Sequence, residues 1–414
     1  MKDSSHGKNK KDILLLCVCY RPETKATAVL AGETMEALAG HGFSVDVLCG
    51  YPKNNAETTN GQKLPFNENV AGVSVKRLRY AAFKSRNAFA RLCNYFSFYV
   101  SCLLRAFTFR KYRAVVSYSN PPMVTDLLNI AAGIFKCRTV FIVHDAYPEI
   151  ALKTGNCGEK GIMAGAMRRI NKKLLKRLDK VVCISEEMRG FFINERGFPP
   201  EKVEMIPNWH RDLYGLFEEP AGETAGDGPF VCGYFGNMGV CQDMDTVVKG
   251  ILDMRGNTDV RFVLAGDGVK FDYVKESLGN AANAEVLAFL TGGAYGETLS
   301  GCGCLAVSLC EGLAGYCAPS KFYSYLMAGK PVIVISDGKD MARDVEKYGC
   351  GFVVKNGDVR GFREAVEKLC GDRALAREMG RRARLCYLEN YTGAESKAKY
   401  AGLFEEMLGK PPAA

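Results

Sequence analysis

The sequence lacks several features that mark large classes of protein. It has no run of about 18 or more apolar residues, so no segment is predicted to cross a bilayer as a helix. Its 17 cysteines show no paired spacing of the kind that binds metal, and many stand inside apolar runs. They are therefore predicted to be buried thiols in a reducing compartment, which argues against a secreted disulfide scaffold.

Two nucleotide-binding signatures and all recognised nucleic-acid modules are also missing. No GxxxxGK[ST] occurs, which disfavours a P-loop ATPase. No GxGxxG follows the first apolar run, which disfavours a dinucleotide dehydrogenase. Runs of Lys and Arg can bind nucleic acid, but no known module accompanies them, so we expect no nucleic-acid partner.

The composition that is present fits a globular protein with two domains and uneven charge. The chain has 414 residues, of which 47% are hydrophobic and 24% charged. Residues 1–208 contain 32 Lys and Arg against 18 Asp and Glu, whereas the remainder contains 23 against 28. This asymmetry suggests domains with different partners. The basic start precedes a short apolar run without a small-residue cleavage site, which predicts a first strand in a cytoplasmic protein.

Thirteen apolar runs alternate with helical stretches along the chain. Their continuous hydrophobicity predicts strands buried on both faces, in parallel sheets with right-handed crossovers. Thirteen strands are more than one ordinary open sheet contains. We therefore predict two doubly wound, Rossmann-like α/β domains. The predicted domains are 1–208, 209–391 and a C-terminal helix, 392–414, that is a candidate to pack back on the first. The runs are 13–19, 44–50, 73–78, 114–119, 139–145, 180–185, 203–208, 230–236, 260–266, 285–290, 303–309, 330–336 and 350–354.

The candidate site residues directly follow predicted strands, because parallel sheets bind ligands at the carboxyl ends of their strands. Gly236 and Gly239 would let backbone N–H groups approach an anion. Ser320 is predicted to cap a helix that begins near Lys321, which adds positive charge to a helix N-terminus. A diphosphate would fit between these two loops. The alternative is an ordinary turn and a capped helix with a solvated lysine. The remaining strand-end candidates are Asn237, Gly266, Glu311, His144 and Asp145.

Eight motifs in order resemble a known enzyme family over nearly the whole chain. The chain is similar to retaining GT-B glycosyltransferases of family 4, and more closely to bacterial transferases of O-antigen, capsule and colanic-acid assembly, including the fucosamine-transferase-like group. The motifs are YRPET, HGFSVDVLCGYP, VHDAYPE, DKVVCISEEMRGFF, IPNW, YFGNMG, VLAGDG and PSKFYSYLMAGKPVIVI.

The resemblance implies two Rossmann-like domains facing each other across a cleft. Such enzymes transfer a sugar, here hexosyl or N-acetylhexosaminyl, from a nucleotide-diphosphate sugar to a saccharide or polyprenyl-diphosphate-linked acceptor. It implies that Lys321, with Ser320 and the Gly236–Gly239 loop, holds the diphosphate, and that Gly266 and Glu311 lie on the donor side. His144 and Asp145 would serve the acceptor and catalysis. No cofactor or metal is expected, and Asp243–Asp245, a DMD sequence, falls within a predicted helix.

Two departures from the family pattern leave other functions open. Many members have a second glutamate that binds ribose, where this chain has Ser324, and a Gly-Gly pair where this chain has PETKATA. A GT-B nucleotide-sugar epimerase and a catalytically inactive sugar-binding scaffold therefore remain as alternatives. The sequence names neither the donor, the acceptor nor the oligomeric state.

Two segments of the basic half combine apolar residues at helical spacing with Lys and Arg. Residues 167–180 combine an apolar stripe (Met167, Ile170, Leu174, Leu178) with seven Lys or Arg, Lys180 among them. We interpret this helix as binding anionic lipid at the inner face of the plasma membrane. Residues 89–113 place Phe89, Leu92, Phe96, Val100, Leu103 and Phe107 at helical spacing before three basic residues. We interpret that stripe as core packing.

Overall fold

The computed structural model describes residues 10–23, 25–52, 63–81, 83, 88–155, 158, 161–213 and 228–411. These residues form two compact units. The first contains the described residues up to Pro207 and those from Ala394 onward. The second contains those from Asn208 to Gly393. Most of the polar stretch 218–229 lies outside the described residues.

The first unit is built on an eight-stranded sheet. Its apolar strands are buried because helices cover both faces; six of the seven β1 residues are buried. The strand order is β3-β4-β2-β1-β5-β6-β7-β8, and all pairs are parallel except β3 with β4. The strands are β1 (Lys11–Cys17), β2 (Val45–Gly50), β3 (Asn67–Val70), β4 (Val73–Leu78), β5 (Tyr112–Tyr118), β6 (Arg138–Val143), β7 (Lys180–Cys183) and β8 (Val203–Met205).

The helices of the first unit connect these strands. Three of them, α2, α3 and α5, lead into β5, β6 and β7. A 3₁₀ segment, Ala106–Lys111, joins α2 to β5. The helices are α1 (Ala26–Gly40), α2 (Ala88–Leu103), α3 (Asp126–Gly133), α4 (Glu149–Lys153), α5 (Ile162–Arg177) and α6 (Glu186–Gly190).

The second unit has a six-stranded, all-parallel sheet with the order β11-β10-β9-β12-β13-β14. In the order of its own strands this is 3-2-1-4-5-6, the doubly wound Rossmann arrangement. Apolar clusters fill the space on both faces, one around Phe262 and Phe362 and the other around Tyr325 and Val334. The strands are β9 (Phe230–Phe235), β10 (Val260–Gly266), β11 (Ala284–Ala288), β12 (Cys304–Ser308), β13 (Val332–Ile335) and β14 (Gly351–Val354).

Three of the seven helices described in the second unit begin at a side chain that caps a backbone amide of the first turn. Asp243, Asp358 and Asp372 each accept a hydrogen bond from a backbone N–H of the helix that follows. Asp243 is therefore an N-cap and stands before the helix rather than inside it. The helices are α7 (Met244–Asp253), α8 (Phe271–Leu278), α9 (Gly292–Ser300), α10 (Lys321–Met327), α11 (Lys339–Tyr348), α12 (Val359–Gly371) and α13 (Arg373–Asn390).

The last helix, α14 (Gly393–Leu408), packs on the first unit. Lys397 forms an ion pair with Glu33 at 2.8 Å, and the Phe404 ring meets Phe43 edge-on at 6.3 Å. The Leu408 carbonyl accepts a hydrogen bond from Arg113. Helix α14 therefore belongs to the same compact unit as β1.

Two expectations about the basic half are wrong. Lys180 does not extend the basic helix, because α5 ends at Arg177 and Lys180 opens β7. Its buried ammonium pairs with Glu204 at 2.9 Å and Glu406 at 3.1 Å. The stripe on 89–113 is not core, because Phe96 and Phe107 are 53% and 63% exposed. The Phe89 side chain lies outside the described part of the chain. No helix within the described residues has the length and apolar character to cross a membrane.

Candidate functional site

The second unit's candidate residues meet at the point where its sheet topology reverses. Strands β9 and β12 are neighbours, yet the chain leaves them in opposite directions across the sheet. The loops that follow them diverge there and open a crevice at the strand ends. The Gly236–Gly239 loop follows β9, and Glu311 follows β12. The resemblance placed the nucleotide sugar at these residues.

The Gly236–Gly239 loop rests directly on the turn that follows β10. The Gly236 N–H donates to the Ala265 carbonyl at 2.8 Å, and the Met238 N–H donates to the Asp267 carbonyl at 2.6 Å. Gly236 has φ of +101°, a conformation that favours glycine. A Cβ at Gly266 would lie 2.0 Å from the Gly236 carbonyl oxygen. Glycine at 266 is thus required for the two loops to stack.

Lys321 reaches back from α10 to the same loop. Its Nζ donates to the Tyr234 hydroxyl at 2.8 Å and to the Asn237 carbonyl at 2.5 Å. The ammonium also lies 4.3 Å from the centre of the Tyr234 ring, a cation–π contact. Burial lowers the pKa of Lys321 to about 7, although the Asp267 carboxylate favours the charged form. The structure therefore brings the Lys321 side chain together with the predicted loop.

One backbone N–H group of the Gly236–Gly239 loop donates to a neutral side chain that an anion could displace. The Gly239 N–H donates to Gln242 Oε1 at 2.8 Å. Lys270, whose Nζ donates to the Gln242 carbonyl at 2.7 Å, adds a second ammonium near this turn. An anion could displace the neutral Gln242 oxygen, since charge-assisted hydrogen bonds are stronger than neutral ones. The sequence interpretation missed Lys270 and Tyr234, for which the only signals are their closeness to Gly268 and Gly236.

Three other predicted donor residues are placed as follows. Ser320 stands at the N-cap of α10 and is exposed, but its side chain makes no capping hydrogen bond, so the predicted cap is wrong. Its backbone is already helical, which turns the hydroxyl away from the first amides of the helix. Ser324 is 7% exposed, and its hydroxyl donates to the Lys321 carbonyl at 2.9 Å. Glu311 is exposed beyond β12.

The first unit holds His144 and Asp145 at the end of β6 through a residue that the sequence did not single out. Ser119, at the end of neighbouring β5, accepts hydrogen bonds at Oγ from both backbone N–H groups, at 3.1 Å and 3.0 Å. The His144 ring packs against the Tyr118 ring in a tilted arrangement, with ring centres 4.9 Å apart. Strand ends in a parallel sheet share one edge, which is why Ser119 can fix both residues.

Burial shifts the pKa values of these two side chains in opposite directions. Burial lowers the pKa of His144 to about 4 and raises the pKa of Asp145 to about 6. The imidazole is therefore neutral at pH 7, whereas the carboxylate is a stronger base than a solvated one. Asp145 also lines a small cavity, together with Thr125, Asn171 and Arg196. This arrangement suits a hydroxyl-bearing ligand better than an anion.

The two carboxylates of the DMD sequence accept hydrogen bonds from neighbouring groups. Asp243 accepts hydrogen bonds from the Thr246 N–H and hydroxyl and from Asn356 Nδ2 at 2.7 Å. Asp245 accepts the Tyr273 hydroxyl at 2.8 Å. Among the residues that the structure describes, no group of three or more His, Cys, Asp or Glu is placed to hold a metal ion.

Two protein-family models match the chain in succession. The glycosyl transferase 4-like domain matches residues 26–209, and the glycosyl transferases group 1 model matches residues 219–385. The chain is 25% identical over 332 residues to a probable glycosyltransferase, WbjE, from Pseudomonas aeruginosa. That match covers 78% of this chain and 80% of the relative.

Solved structures share the fold at low sequence identity. Sucrose-phosphate synthase from Thermosynechococcus elongatus has a TM-score of 0.74 and 14% identity, over 96% of this chain and 99% of that one. HepE from Anabaena, in complex with UDP, has a TM-score of 0.69 and 14% identity, over 95% and 100%. WaaG, a glycosyltransferase involved in lipopolysaccharide biosynthesis, has a TM-score of 0.65 and 14% identity, over 94% and 99%. Together, the matches show a glycosyl transferase 4-like domain followed by a glycosyl transferases group 1 domain, and the two parallel-sheet units have the GT-B fold of these solved structures.

Proposed function

We propose that the protein is a retaining glycosyltransferase that moves a sugar from a nucleoside diphosphate sugar to a saccharide acceptor in cell-surface polysaccharide synthesis. The bond between the anomeric carbon and the diphosphate oxygen breaks. The acceptor oxygen bonds to the same face of the sugar, and its proton passes to the Asp145 carboxylate and from there to solvent. The transferred group is a hexosyl or an N-acetylhexosaminyl unit.

The placement of Lys321 is the observation that carries this proposal. Its ammonium is hydrogen-bonded to the loop between β9 and α7, at the topological switch point of the second sheet. A partly desolvated cation at this position would stabilise the negative charge that grows on the leaving diphosphate. Because that charge grows in the transition state, the interaction would accelerate the reaction rather than only tighten binding.

The remaining parts of the donor site support the same role. Gly236, Asn237, Gly239 and Gly266 form the stacked loops, and Ser320, Ser324 and Glu311 complete the proposed donor side. HepE, which shares the fold, was solved with UDP-glucose. We propose that no metal or cofactor takes part, because Lys321 and backbone N–H groups supply the positive charge at the leaving group.

On the acceptor side, we propose that His144 and Asp145 position a sugar hydroxyl. A neutral imidazole can donate or accept a hydrogen bond, and a carboxylate with a raised pKa can accept the hydroxyl proton. We propose that the acceptor is linked to a polyprenyl diphosphate at the cytoplasmic face of the membrane. The net charge of the first 208 residues and the basic helix α5 favour such an anionic surface.

The test combines binding with turnover. A panel of nucleotide sugars is screened for an increase in Tm, and the best ligand is then incubated with and without candidate saccharide acceptors. We expect free nucleotide to appear only when acceptor is present, and NMR of the product to show the donor's anomeric configuration. Inversion would exclude the retaining mechanism. A changed sugar without acceptor would indicate an epimerase, and binding without turnover of any acceptor would indicate an inactive scaffold.

A further inference from the structure

The first unit exposes a group of large apolar side chains, here called the apolar ridge, formed by Leu104, Phe107 and Ile134. Their exposed fractions are 80%, 63% and 68%. The Phe107 ring meets the Phe135 ring edge-on at 6.1 Å, which joins the 3₁₀ segment to the end of α3. Phe96, on α2, is also 53% exposed. Clustered exposure of this kind marks an interaction surface rather than ordinary surface composition.

The apolar ridge and the basic helix α5 belong to one layer of the fold. The helices α2, α3 and α5 each lead to the next strand in the same direction across the sheet, so right-handed crossovers place all three on one face. Side-chain contacts agree. The Tyr99 hydroxyl donates to Asp126 at 3.4 Å, which joins α2 to α3, and Arg177 Nη1 donates to the Asn129 carbonyl at 3.2 Å, which joins α5 to α3.

This face is strongly basic. The segments 92–113, 126–138 and 162–179 contain twelve Lys or Arg but only two carboxylates, Asp126 and Asp179. Both carboxylates are engaged: Asp126 accepts from Asn129 Nδ2 at 3.0 Å, and Asp179 accepts from Arg138 at 2.6 Å. The exposed basic residues are Arg110, Lys111, Lys136, Arg138, Arg168, Arg169, Lys172, Lys173, Lys176 and Arg177.

One of these cations borders the apolar ridge directly. The Arg110 guanidinium lies 4.0 Å from the centre of the Phe107 ring. Inserted aromatic and aliphatic side chains with Lys and Arg at their rim match the boundary between anionic headgroups and acyl chains. A protein partner with an acidic, apolar surface is the other class of occupant, but the spread of the charge over three segments favours an extended planar surface.

We infer that the face formed by α2, α3 and α5 docks on an anionic lipid bilayer, with Leu104, Phe107 and Ile134 inserted below the headgroups and α5 lying along the surface. This inference rests on the proposed membrane-bound acceptor and deepens it. The 16 residues of α5 span about 24 Å. Asn171, in its middle, donates to the Tyr147 carbonyl at 2.6 Å, close to the Asp145 cavity. A lipid-linked diphosphate in the bilayer surface would thus lie near the strand ends that carry the acceptor residues.

The test measures binding of the full chain to vesicles, and it requires no turnover. Wild type is compared with an apolar variant, Leu104→Gln/Phe107→Gln/Ile134→Gln, and a basic variant, Lys172→Gln/Lys173→Gln/Lys176→Gln. A matched control, Leu385→Gln/Leu388→Gln, removes exposed apolar side chains of the second unit, which are 48% and 47% exposed. Vesicles contain phosphatidylcholine with or without phosphatidylglycerol, and binding is followed by co-sedimentation at two salt concentrations.

Wild type and control should bind the anionic vesicles alike. The apolar variant should bind roughly 10-fold to 100-fold more weakly, because three inserted side chains are lost, and should keep its salt dependence. The basic variant should bind more weakly at low salt and lose much of the salt dependence. Wild-type-like binding by a folded apolar variant would overturn the inference. A wild type that sediments as a dimer, together with an apolar variant that sediments as a monomer, would also overturn it. The apolar ridge would then be a protein interface. A protein that binds vesicles but transfers no sugar would refute the proposed function alone.

Discussion

The two units place their candidate residues at equivalent positions, the carboxyl ends of parallel strands, but prepare them in different ways. In the second unit, Lys321 is tied by hydrogen bonds to Tyr234 and to the Asn237 carbonyl. In the first unit, Ser119 fixes His144 and Asp145 through their backbone N–H groups, and the Asp145 side chain lines a small cavity. One site is organised around a cation, and the other around two desolvated groups.

This difference teaches how one fold can serve two kinds of ligand. The stacked glycine loops and the ammonium ion suit an anion, since the Gly239 N–H, Lys270 and Lys321 all lie at one loop. At the other site, burial favours neutral His144 and raises the pKa of Asp145 to about 6, so proton transfer with a hydroxyl is favoured over anion binding. Four predictions test whether one site binds the donor and the other positions the acceptor.

The largest expected effect is that of Lys321→Met, which keeps the length of the side chain but removes the charge. We expect kcat to fall on the order of 10²-fold or more, because the ammonium would stabilise the leaving diphosphate in the transition state. Steady-state kinetics of nucleotide release would measure it, with Lys249→Met, an exposed lysine on α7, as matched control. A folded Lys321→Met enzyme with wild-type kcat would remove Lys321 from the mechanism.

The second prediction concerns Asp145→Asn and His144→Gln. Either change should reduce kcat for sugar transfer by roughly 10-fold to 100-fold, because the acceptor hydroxyl loses its proton acceptor or its orientation. Donor affinity, measured by calorimetry with a nucleotide sugar, should stay within about twofold. The control is Glu201→Gln, an exposed acid of the same unit. Lost donor binding in a folded variant would show that these residues belong to the donor side.

The third prediction tests the stacking of the donor loops. In Gly266→Ala, the new methyl group would overlap the Gly236 carbonyl, which lies 2.0 Å from the Cβ position. The loop must shift, and we expect donor affinity to weaken by roughly tenfold, since small misplacements of binding groups are costly. Gly256→Ala is the matched control, because its Cβ would meet nothing within 4 Å. Equal donor affinity in the two variants would mean that the loop takes no part in donor binding.

Sequence patterns predicted the sheets well because buried parallel strands are marked by continuous apolar runs. Each of the thirteen predicted runs overlaps a strand. The missed strand, β3, reads NENV and forms an antiparallel edge pair with β4. Its polar, partly exposed residues have no apolar run to mark them. The turn that makes the pair, Ala71–Gly72, has positive φ at both residues, as a tight hairpin requires.

The hydrogen-bond partners of side chains and their exposure to solvent were less predictable from the sequence. Helical spacing indicated that Phe96 and Phe107 share a stripe, but spacing cannot say whether a stripe faces the core or the solvent. Here Phe98 and Cys102, on another side of α2, take the core positions. Likewise, nothing local identifies Tyr234 as the acceptor for Lys321 or Ser119 as the anchor of His144, because these pairs form only when distant strand ends meet.

The last and smallest expected effect concerns pH. Burial lowers the pKa of Lys321 in the free protein to about 7, and a bound diphosphate would raise that pKa by favouring the charged form. Donor binding therefore takes up a proton above pH 7, and affinity should be highest below pH 7 and fall as pH rises. Between pH 6.5 and 8.0 we expect a decrease of roughly fivefold to tenfold for a nucleotide sugar.

Two variants sharpen this pH prediction and separate Lys321 from other titrating groups. Lys321→Arg should flatten the decline, because a guanidinium stays charged throughout this range. Tyr234→Phe removes the hydroxyl that accepts from the ammonium at 2.8 Å. The charged form loses that partner, so the free pKa should fall further and the decline should begin at lower pH, with about threefold weaker binding at pH 7. A decline that persists unchanged in Lys321→Arg would assign the titration to another group. The donor site would then resemble the acceptor site in depending on desolvation rather than on a tethered cation.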